Sequence, residues 1–176
     1  MKFTKKYGVL VIIAIMTLCG SVYLGAWYVG TQFKVVYSLD TKHVDQEIIR
    51  LINEADSYVY FGIYYFSKTD IADALVRAHK RGILVAGITD REGAVGNNKN
   101  VIVSLRSAGI PVITQKHPEG IMHLKVLVTD KAYASGSYNW TRSATEVNDE
   151  VLEISTNESV RRQYLTIIKK VLSANQ

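Results

Sequence analysis

The sequence predicts one α/β sandwich domain set behind a single N-terminal membrane-spanning helix. Strand-like and helix-like hydrophobic patterns alternate three times between Val35 and Thr114, which argues for an α/β layer fold and against an all-β one. The run Tyr58 to Phe66 is too uniformly apolar for a half-exposed strand and fits a central strand covered on both faces. No charged residue occurs from Tyr7 to Phe33.

That uncharged run comes first in the chain. Residues 8–30 are apolar enough to cross a bilayer as a helix, which needs about 20 such residues. Tyr23, Trp27 and Tyr28 near the far end suit an interfacial belt, and Lys2, Lys5 and Lys6 predict a cytoplasmic N-terminus. The expected division is therefore an anchor over residues 1–33 and a catalytic domain over residues 34–176, lying outside the cytoplasmic membrane. Secretion after signal cleavage is the alternative. A cut after Ala26 would put Leu24 three positions before it, and Leu18 ahead of Cys19 is unsuited to a lipoprotein site, so the uncleaved anchor is favoured. Either route carries the domain across the membrane.

The remaining length suffices for one domain with a core and is too short for two of ordinary size. Hydrophobic content of 48% and charged content of 21% exclude a disordered chain. The formal charge is +5, but without Lys2, Lys5 and Lys6 the rest holds 18 basic against 16 acidic residues, a net +2. Bulk charge thus says more about topology than about an anionic partner. Cys19 is the single cysteine, which excludes an intramolecular disulfide and a cysteine-based metal site.

Val35 to Tyr37 reads as a first strand. Asp40 or Thr41 then opens an amphipathic helix burying Val44, Ile48, Leu51, Ile52 and Ala55. After the central strand, Ser67 or Thr69 opens a helix with Ile71, Ala74, Leu75 and Ala78 inward, closed by Gly82 in a left-handed cap. Ile83 to Ile88 is the next strand, Asn97 to Ala108 a third helix, and Ile110 to Thr114 a further strand. The glycine- and asparagine-rich stretch Asp90 to Asn100 is expected to be a flexible loop. Strands follow at Leu124 to Val128, Tyr133 to Ser135 and Glu150 to Ser155. A closing helix presents Val160, Tyr164, Ile167, Ile168 and Val171 on one face.

The chemistry lies between the last strands. His123, Lys125 and Asp130 have the form His-x-Lys-x4-Asp, and Gly136-Ser137-Tyr138-Asn139 follows closely. At ordinary residue usage the three-residue pattern arises in this chain about two times in a hundred, and the extended one a few times in a million. Residues two apart on a strand share a face, so His123 and Lys125 can address one pocket while Leu124 turns into the core. An imidazole can attack phosphorus covalently while an ammonium neutralises the non-bridging oxygens. Gly136 lets backbone come close to an anion, and the Ser137 hydroxyl and Asn139 amide can donate to the same oxygens. Lys125, Ser137 and Asn139 thus make a phosphate cradle that calls for neither metal nor cofactor. A metal site from His117, His123 and nearby carboxylates lacks a recognised ligand spacing.

These residues resemble the signature of the phospholipase D superfamily. Phe66-Ser67, Ile71-Ala72-x-Ala74-Leu75 and Arg81-Gly82-Ile83-x-Val85 extend the likeness over about residues 36 to 172. The resemblance implies an α-β-α sandwich with a mixed central sheet, His123 as the nucleophile forming a phosphohistidine, and Glu150 as the carboxylate orienting it. Asp130 completes the signature and joins the candidate catalytic residues, although its odd spacing from His123 turns it from the pocket and suits a structural part. Asp149 and Glu146 are neighbours that could take the place of Glu150. The chain carries one motif, as do the short bacterial nuclease-type and mitochondrial cardiolipin-hydrolase-like members. The resemblance therefore implies a homodimer that shares one active site, His123, Lys125 and Asn139 being supplied twice.

The expected function is a metal-independent phosphodiesterase, an endonuclease first, with phospholipase D action on phospholipid headgroups as the alternative. A non-catalytic, membrane-tethered binding module is the reading from a different class, and the intact His123, Lys125, Ser137 and Asn139 oppose it. Asn139-Trp140-Thr141 is formally a glycosylation sequon whose sugar would block the pocket, which favours a bacterial cytoplasmic membrane. His43, His79 and His117 read as solvated or capping residues, Ser67 as a helix cap. The aromatics Tyr58, Tyr60, Phe61, Tyr64, Tyr65 and Phe66 read as core rather than as a base-stacking platform.

Overall fold

A computed structural model of the chain describes residues 32–117 and 119–176, so the expected membrane span at 8–30 lies outside the described residues. Among those described, no helix is long and apolar enough to cross a membrane. The chain runs through β1 (Phe33–Tyr37), α1 (Ser38–Thr41), α2 (Val44–Glu54), β2 (Tyr58–Ile63), α3 (Thr69–Lys80), β3 (Leu84–Thr89) and a 3-10 turn at Glu92–Ala94. It continues with α4 (Asn97–Ser107), β4 (Val112–Thr114), β5 (Lys125–Thr129), β6 (Tyr133–Gly136), α5 (Arg142–Glu146), β7 (Val151–Ser155) and α6 (Glu158–Ser173).

The strands form one mixed sheet in the order β1-β7-β6-β5-β2-β3-β4. β2, β3 and β4 are parallel, joined by the helical crossovers that parallel pairing requires. β5 lies antiparallel to β2, and β6, β7 and β1 continue antiparallel outward. Alternation of side chains decides the two layers. Val59, Phe61 and Ile63 of β2 face a core built with Ile48, Leu51 and Ile52 of α2, Ile71 and Leu75 of α3, and Ile102 and Leu105 of α4. Tyr58 and Tyr60 face the other way, where Ile168 and Leu172 of α6 cover Ile88, Val126, Val128 and Tyr133. The predicted α-β-α sandwich with a mixed sheet is therefore the fold.

Local rules explain the boundaries. α3 ends in a Schellman arrangement: the Gly82 N–H donates to the His79 carbonyl and the Ile83 N–H to that of Ala78, with Gly82 at φ +87°. Its start is not capped by Ser67 or Thr69, since Lys68 occupies the cap position without a side-chain cap bond. The first helix is broken in two, because Lys42 adopts a left-handed φ of 53° between α1 and α2. The Asp90–Asn100 stretch is largely folded, holding the 3-10 turn and the first turn of α4. α6 buries Ile168 and Leu172 most deeply and leaves Ile167 45% exposed, so the buried stripe is rotated from the one expected.

Trp140, Phe61 and Phe66 form the aromatic centre of the first core, with Phe61–Trp140 centroids 5.4 Å apart and Phe66 edge-on to Trp140 at 4.8 Å. Gly87 on β3 makes room for this cluster, as a Cβ there would lie 2.2 Å from the Phe61 ring. Truncating Phe61 to Ala should lower the unfolding free energy by about 3–5 kcal/mol. Leu84→Ala, at a position 55% exposed, should change it by less than about 0.5 kcal/mol. Denaturant midpoints of the two variants check both outcomes.

Candidate active site

The site begins with the pairing of β5 on β2. Ile63 lies opposite Lys125, and the Tyr64 N–H donates to the Leu124 carbonyl at 3.0 Å, so the extended pairing runs back past the start of β5. His123 stands just ahead of the strand, exposed, while Lys125 is buried to 8% exposure. The Lys125 Nζ donates to the His123 carbonyl at 3.1 Å, which ties the two residues together. Leu124, on the opposite side, packs into the α6 core.

Tyr64 joins the pair, a site residue that the sequence alone does not mark. Its ring meets the His123 ring edge-on at 4.7 Å, and the Lys125 ammonium lies 5.1 Å from its centroid, within cation–π range. Its hydroxyl donates to Glu92 at 2.7 Å, and hydrogen bonding with neighbouring Tyr65, then with this carboxylate, pushes its pKa upward. The aromatic run therefore divides: Phe61 and Phe66 are core, whereas Tyr64 lines the site. The 3-10 turn reaches Tyr64 because residue 93 is glycine, where a Cβ would stand 1.7 Å from the Tyr64 carbonyl oxygen.

Asp90, 1% exposed at the end of β3, is a second such residue. One carboxylate oxygen accepts from the Glu92 N–H at 2.9 Å and the other from the Met122 N–H at 2.7 Å. It thus fixes both the turn beneath Tyr64 and the residue before His123. An acidic residue just past an apolar parallel strand was the available signal, because such strand ends are where sites gather.

The Gly136 turn brings in the rest. Gly136 has φ +154°, and a Cβ there would stand 2.1 Å from the Val151 carbonyl oxygen, so the close approach it permits is to β7 and not to an anion. Ser137 is held by the same strand: its N–H donates to the Val151 carbonyl, and its Oγ accepts from the Val151 N–H at 3.1 Å, leaving the hydroxyl proton unused by that bond. The Asn139 Oδ1 accepts from the Tyr65 N–H at 3.2 Å, so the Nδ2 end is the one left to face an anion.

Glu150 is the buried member of the three acidic candidates, at 8% exposure. Asp149 and Glu146 are exposed, bonded by the Tyr37 hydroxyl and by Arg142 respectively. Ser38 seats Glu150, donating its N–H to the Glu150 carbonyl at 3.0 Å and accepting from the Glu150 N–H at 2.9 Å. Asn148 Nδ2 donates to Glu150 Oε1 at 3.2 Å. Burial holds the Lys125 ammonium below the usual lysine range, while the charge of Glu150 pulls it back upward. The carboxylate thereby favours the charged form of a buried amine.

Asp130 lies apart from this group. It follows the far end of β5, about 16 Å along the strand from Lys125 at ordinary strand rise. Its carboxylate accepts from the Asp56 N–H at 3.1 Å, and bonds from the Asp56–Ser57 turn hold its pKa below the usual range. Grouping Asp130 with the catalytic residues is thereby corrected: it anchors the turn before β2. Of the other histidines, His43 occupies the helix-cap position of α2 without a side-chain cap bond, and His117 is exposed and lines the same pocket as His123.

One end of the mixed sheet thus carries a buried lysine, an exposed histidine and the turn that bears Ser137 and Asn139. The sequence profile of the family described as "Cardiolipin synthase, PLD-like domain" matches residues 48–172, and the chain belongs to this phospholipase D-like family. It is 32% identical over 126 residues to the mitochondrial cardiolipin hydrolase of Xenopus tropicalis, covering 69% of this chain and 59% of that protein. It is likewise 32% identical over 119 residues to the phospholipase D of Rickettsia conorii, covering 67% of this chain and 58% of the relative. The chain thus spans little more than half the length of these curated relatives. Among solved structures, the phospholipase D family member Nuc from Salmonella typhimurium superposes with a TM-score of 0.77 at 26% identity, over 83% of this chain and 97% of Nuc. NucT from Helicobacter pylori gives 0.74 at 27% identity, over 81% and 96%.

Two outcomes follow from this geometry. Glu150→Gln should move the Lys125 pKa further down, because it removes the charge that favours the ammonium; lysine 13Cε chemical shifts followed against pH read this. Asp130→Asn should reduce stability at neutral pH by about 1–2 kcal/mol, the worth of charge-assisted bonds to backbone. Since the folded-state pKa of Asp130 lies below its unfolded value, that contribution is present above the unfolded pKa and fades as pH falls through the folded one. Denaturation of both proteins at neutral and acidic pH should show the difference shrinking in acid.

Proposed function

We propose that this chain is a metal-independent phosphodiesterase that cleaves nucleic acid through a phosphohistidine at His123. The observation that carries the reading is an exposed imidazole backbone-tied to a buried ammonium, with the Asn139 amide on the turn bonded beside them. An imidazole nitrogen attacks phosphorus, the bond to the leaving oxygen breaks, and charge on the non-bridging oxygens falls to Lys125, Asn139 and the Ser137 hydroxyl. Glu150 keeps Lys125 charged and is the carboxylate assigned to orienting His123. Water then attacks phosphorus, releasing the phosphate product and restoring the imidazole.

The leaving oxygen needs a proton donor. A second copy of the chain supplies it when the two His123 side chains meet across a two-fold axis, so the working unit is a homodimer with one shared site. Exposed Ile121 and Ile167 beside His123 support burial of this surface against a partner. Residues 8–30 would hold the unit on the outer side of a bacterial cytoplasmic membrane.

The endonuclease reading is supported by near-complete coverage of Nuc and NucT. Phospholipid hydrolysis is the second reading, favoured by relatives named for it and by Ile121, Met122, Leu124, Ile167 and Val171 around a pocket of about 390 Å³ at His123. Cleavage of single-stranded DNA, duplex DNA, RNA and phospholipid vesicles in chelator separates them. His123→Ala should lose at least about 1000-fold in rate, as expected when a nucleophile is removed. Undiminished cleavage by that variant would sink the mechanism, and cleavage of lipid alone would reverse the substrate order. Active protein should sediment as a dimer; a fully active monomer would contradict the shared site.

A further inference from the structure

A second cleft opens at the same end of the sheet as His123. Three registers set its position: Lys125 lies opposite Ile63, Ile63 opposite Thr89, and Thr89 opposite Thr114. These residues form one row across β5, β2, β3 and β4, so three strand spacings, about 14 Å, separate Lys125 from the end of β4. There a cleft of about 710 Å³ is lined by Arg91, Arg106 and Lys116, and no acidic side chain is among its lining residues. Gln115 lines both this cleft and the pocket that holds His123, so the two are adjoining.

The cations are mounted on the fold. Arg106 donates through Nε to the Val112 carbonyl and through Nη2 to Thr114 Oγ1, both at 2.8 Å, which uses two of its five donors and fixes the guanidinium at the wall. The Lys116 N–H donates to buried Asn175 at 2.7 Å, Asn175 is itself bonded to the Val171 carbonyl on α6, and the Lys116 Nζ donates to the Gln176 backbone oxygen at 2.6 Å, which uses one of its three donors. Arg91 follows the end of β3, next to Asp90.

We infer that this cleft is a second phosphate subsite for a single nucleic-acid strand whose scissile phosphate lies at His123. The inference rests on the phosphodiesterase reading above and adds how the substrate is held. Separation selects the ligand class. The β5 and β4 rows that carry the two clusters lie about 14 Å apart, more than the single phosphate of a headgroup diester spans. A strand repeats its phosphate at every nucleotide, and a flexible single strand can follow the sheet end from one cluster to the other. The net +2 of the domain hides this feature because the cations are gathered at one edge.

The test uses the full chain and the variant Arg91→Gln with Lys116→Gln, both positions being exposed. A 16-nucleotide oligothymidylate, bis(p-nitrophenyl) phosphate and phosphatidylglycerol vesicles serve as substrates. For the oligonucleotide the variant should raise KM about tenfold at low salt with kcat unchanged. The slope of log KM against log salt should drop by about 0.7 for each phosphate that the variant no longer neutralises. Hydrolysis of bis(p-nitrophenyl) phosphate, too small to reach the cleft, should not change. An unchanged KM and salt slope for the oligonucleotide overturns the subsite, and an equal rise in KM for vesicles overturns its assignment to a strand. If the wild-type chain cleaves none of these substrates, the catalytic reading fails on its own. Fluorescence anisotropy of the labelled oligonucleotide then still decides the subsite, through weaker binding by the variant or its absence.

Discussion

The register of β5 against β2 is the constraint on which the rest of the site depends. With Lys125 opposite Ile63, one strand side places an ammonium beside the Tyr64 ring and the His123 carbonyl while Val126 and Val128 fill the α6 core. Because side chains alternate, a slip of one residue would drive Lys125 into that core and turn Leu127 out of the opposite one, so hydrophobic burial itself enforces the geometry of the candidate site. The same row carries the C-terminal ends of β2 and β3, and from those ends Tyr64 and Asp90 reach the site. Chemistry is thus assembled where a parallel block of strands meets an antiparallel one.

Legibility in the sequence follows the range of the interaction that fixes each feature. α3 was readable to within a residue, since its inward stripe and the left-handed Gly82 are local. The pattern of His123, Lys125, Ser137 and Asn139 is conspicuous in the sequence because its offsets are short and unusual in composition. Tyr64 and Asp90 were not, because their parts come from contacts with residues 28 to 59 positions away, and a tyrosine in an apolar run carries no mark of which side it faces. Asp130 shows the converse: a residue inside the signature pattern whose carboxylate is spent on a turn 74 positions earlier. Gly136 was placed at the right turn for another reason, since the atom it must approach is the carbonyl of Val151.

Electrostatics and packing act on each other through Lys125. Burial alone would lower the proton affinity of its amine and weaken it as a counter-charge to phosphate. Glu150 offsets this, and Glu150 is in turn held by the backbone and hydroxyl of Ser38. Tyr64 adds a ring face to the ammonium and an edge to the imidazole. The site is therefore supported from three separated parts of the chain, which explains why a short recognisable motif sits within a domain that must be folded throughout.

The seat of Glu150 has a mechanical side. β1 is an edge strand zipped onto β7 from Phe33–Ser155 to Tyr37–Val151, and Ser38 follows immediately. Tension entering through the chain ahead of Phe33, if it acts sideways, opens those five pairs one at a time, beginning at the end farthest from Glu150. The Ser38 clasp is the last link to be loaded. Five strand pairs of β1 thus lie between the chain ahead of Phe33 and the Ser38 clasp on Glu150, so fraying at the outer pairs leaves the clasp closed.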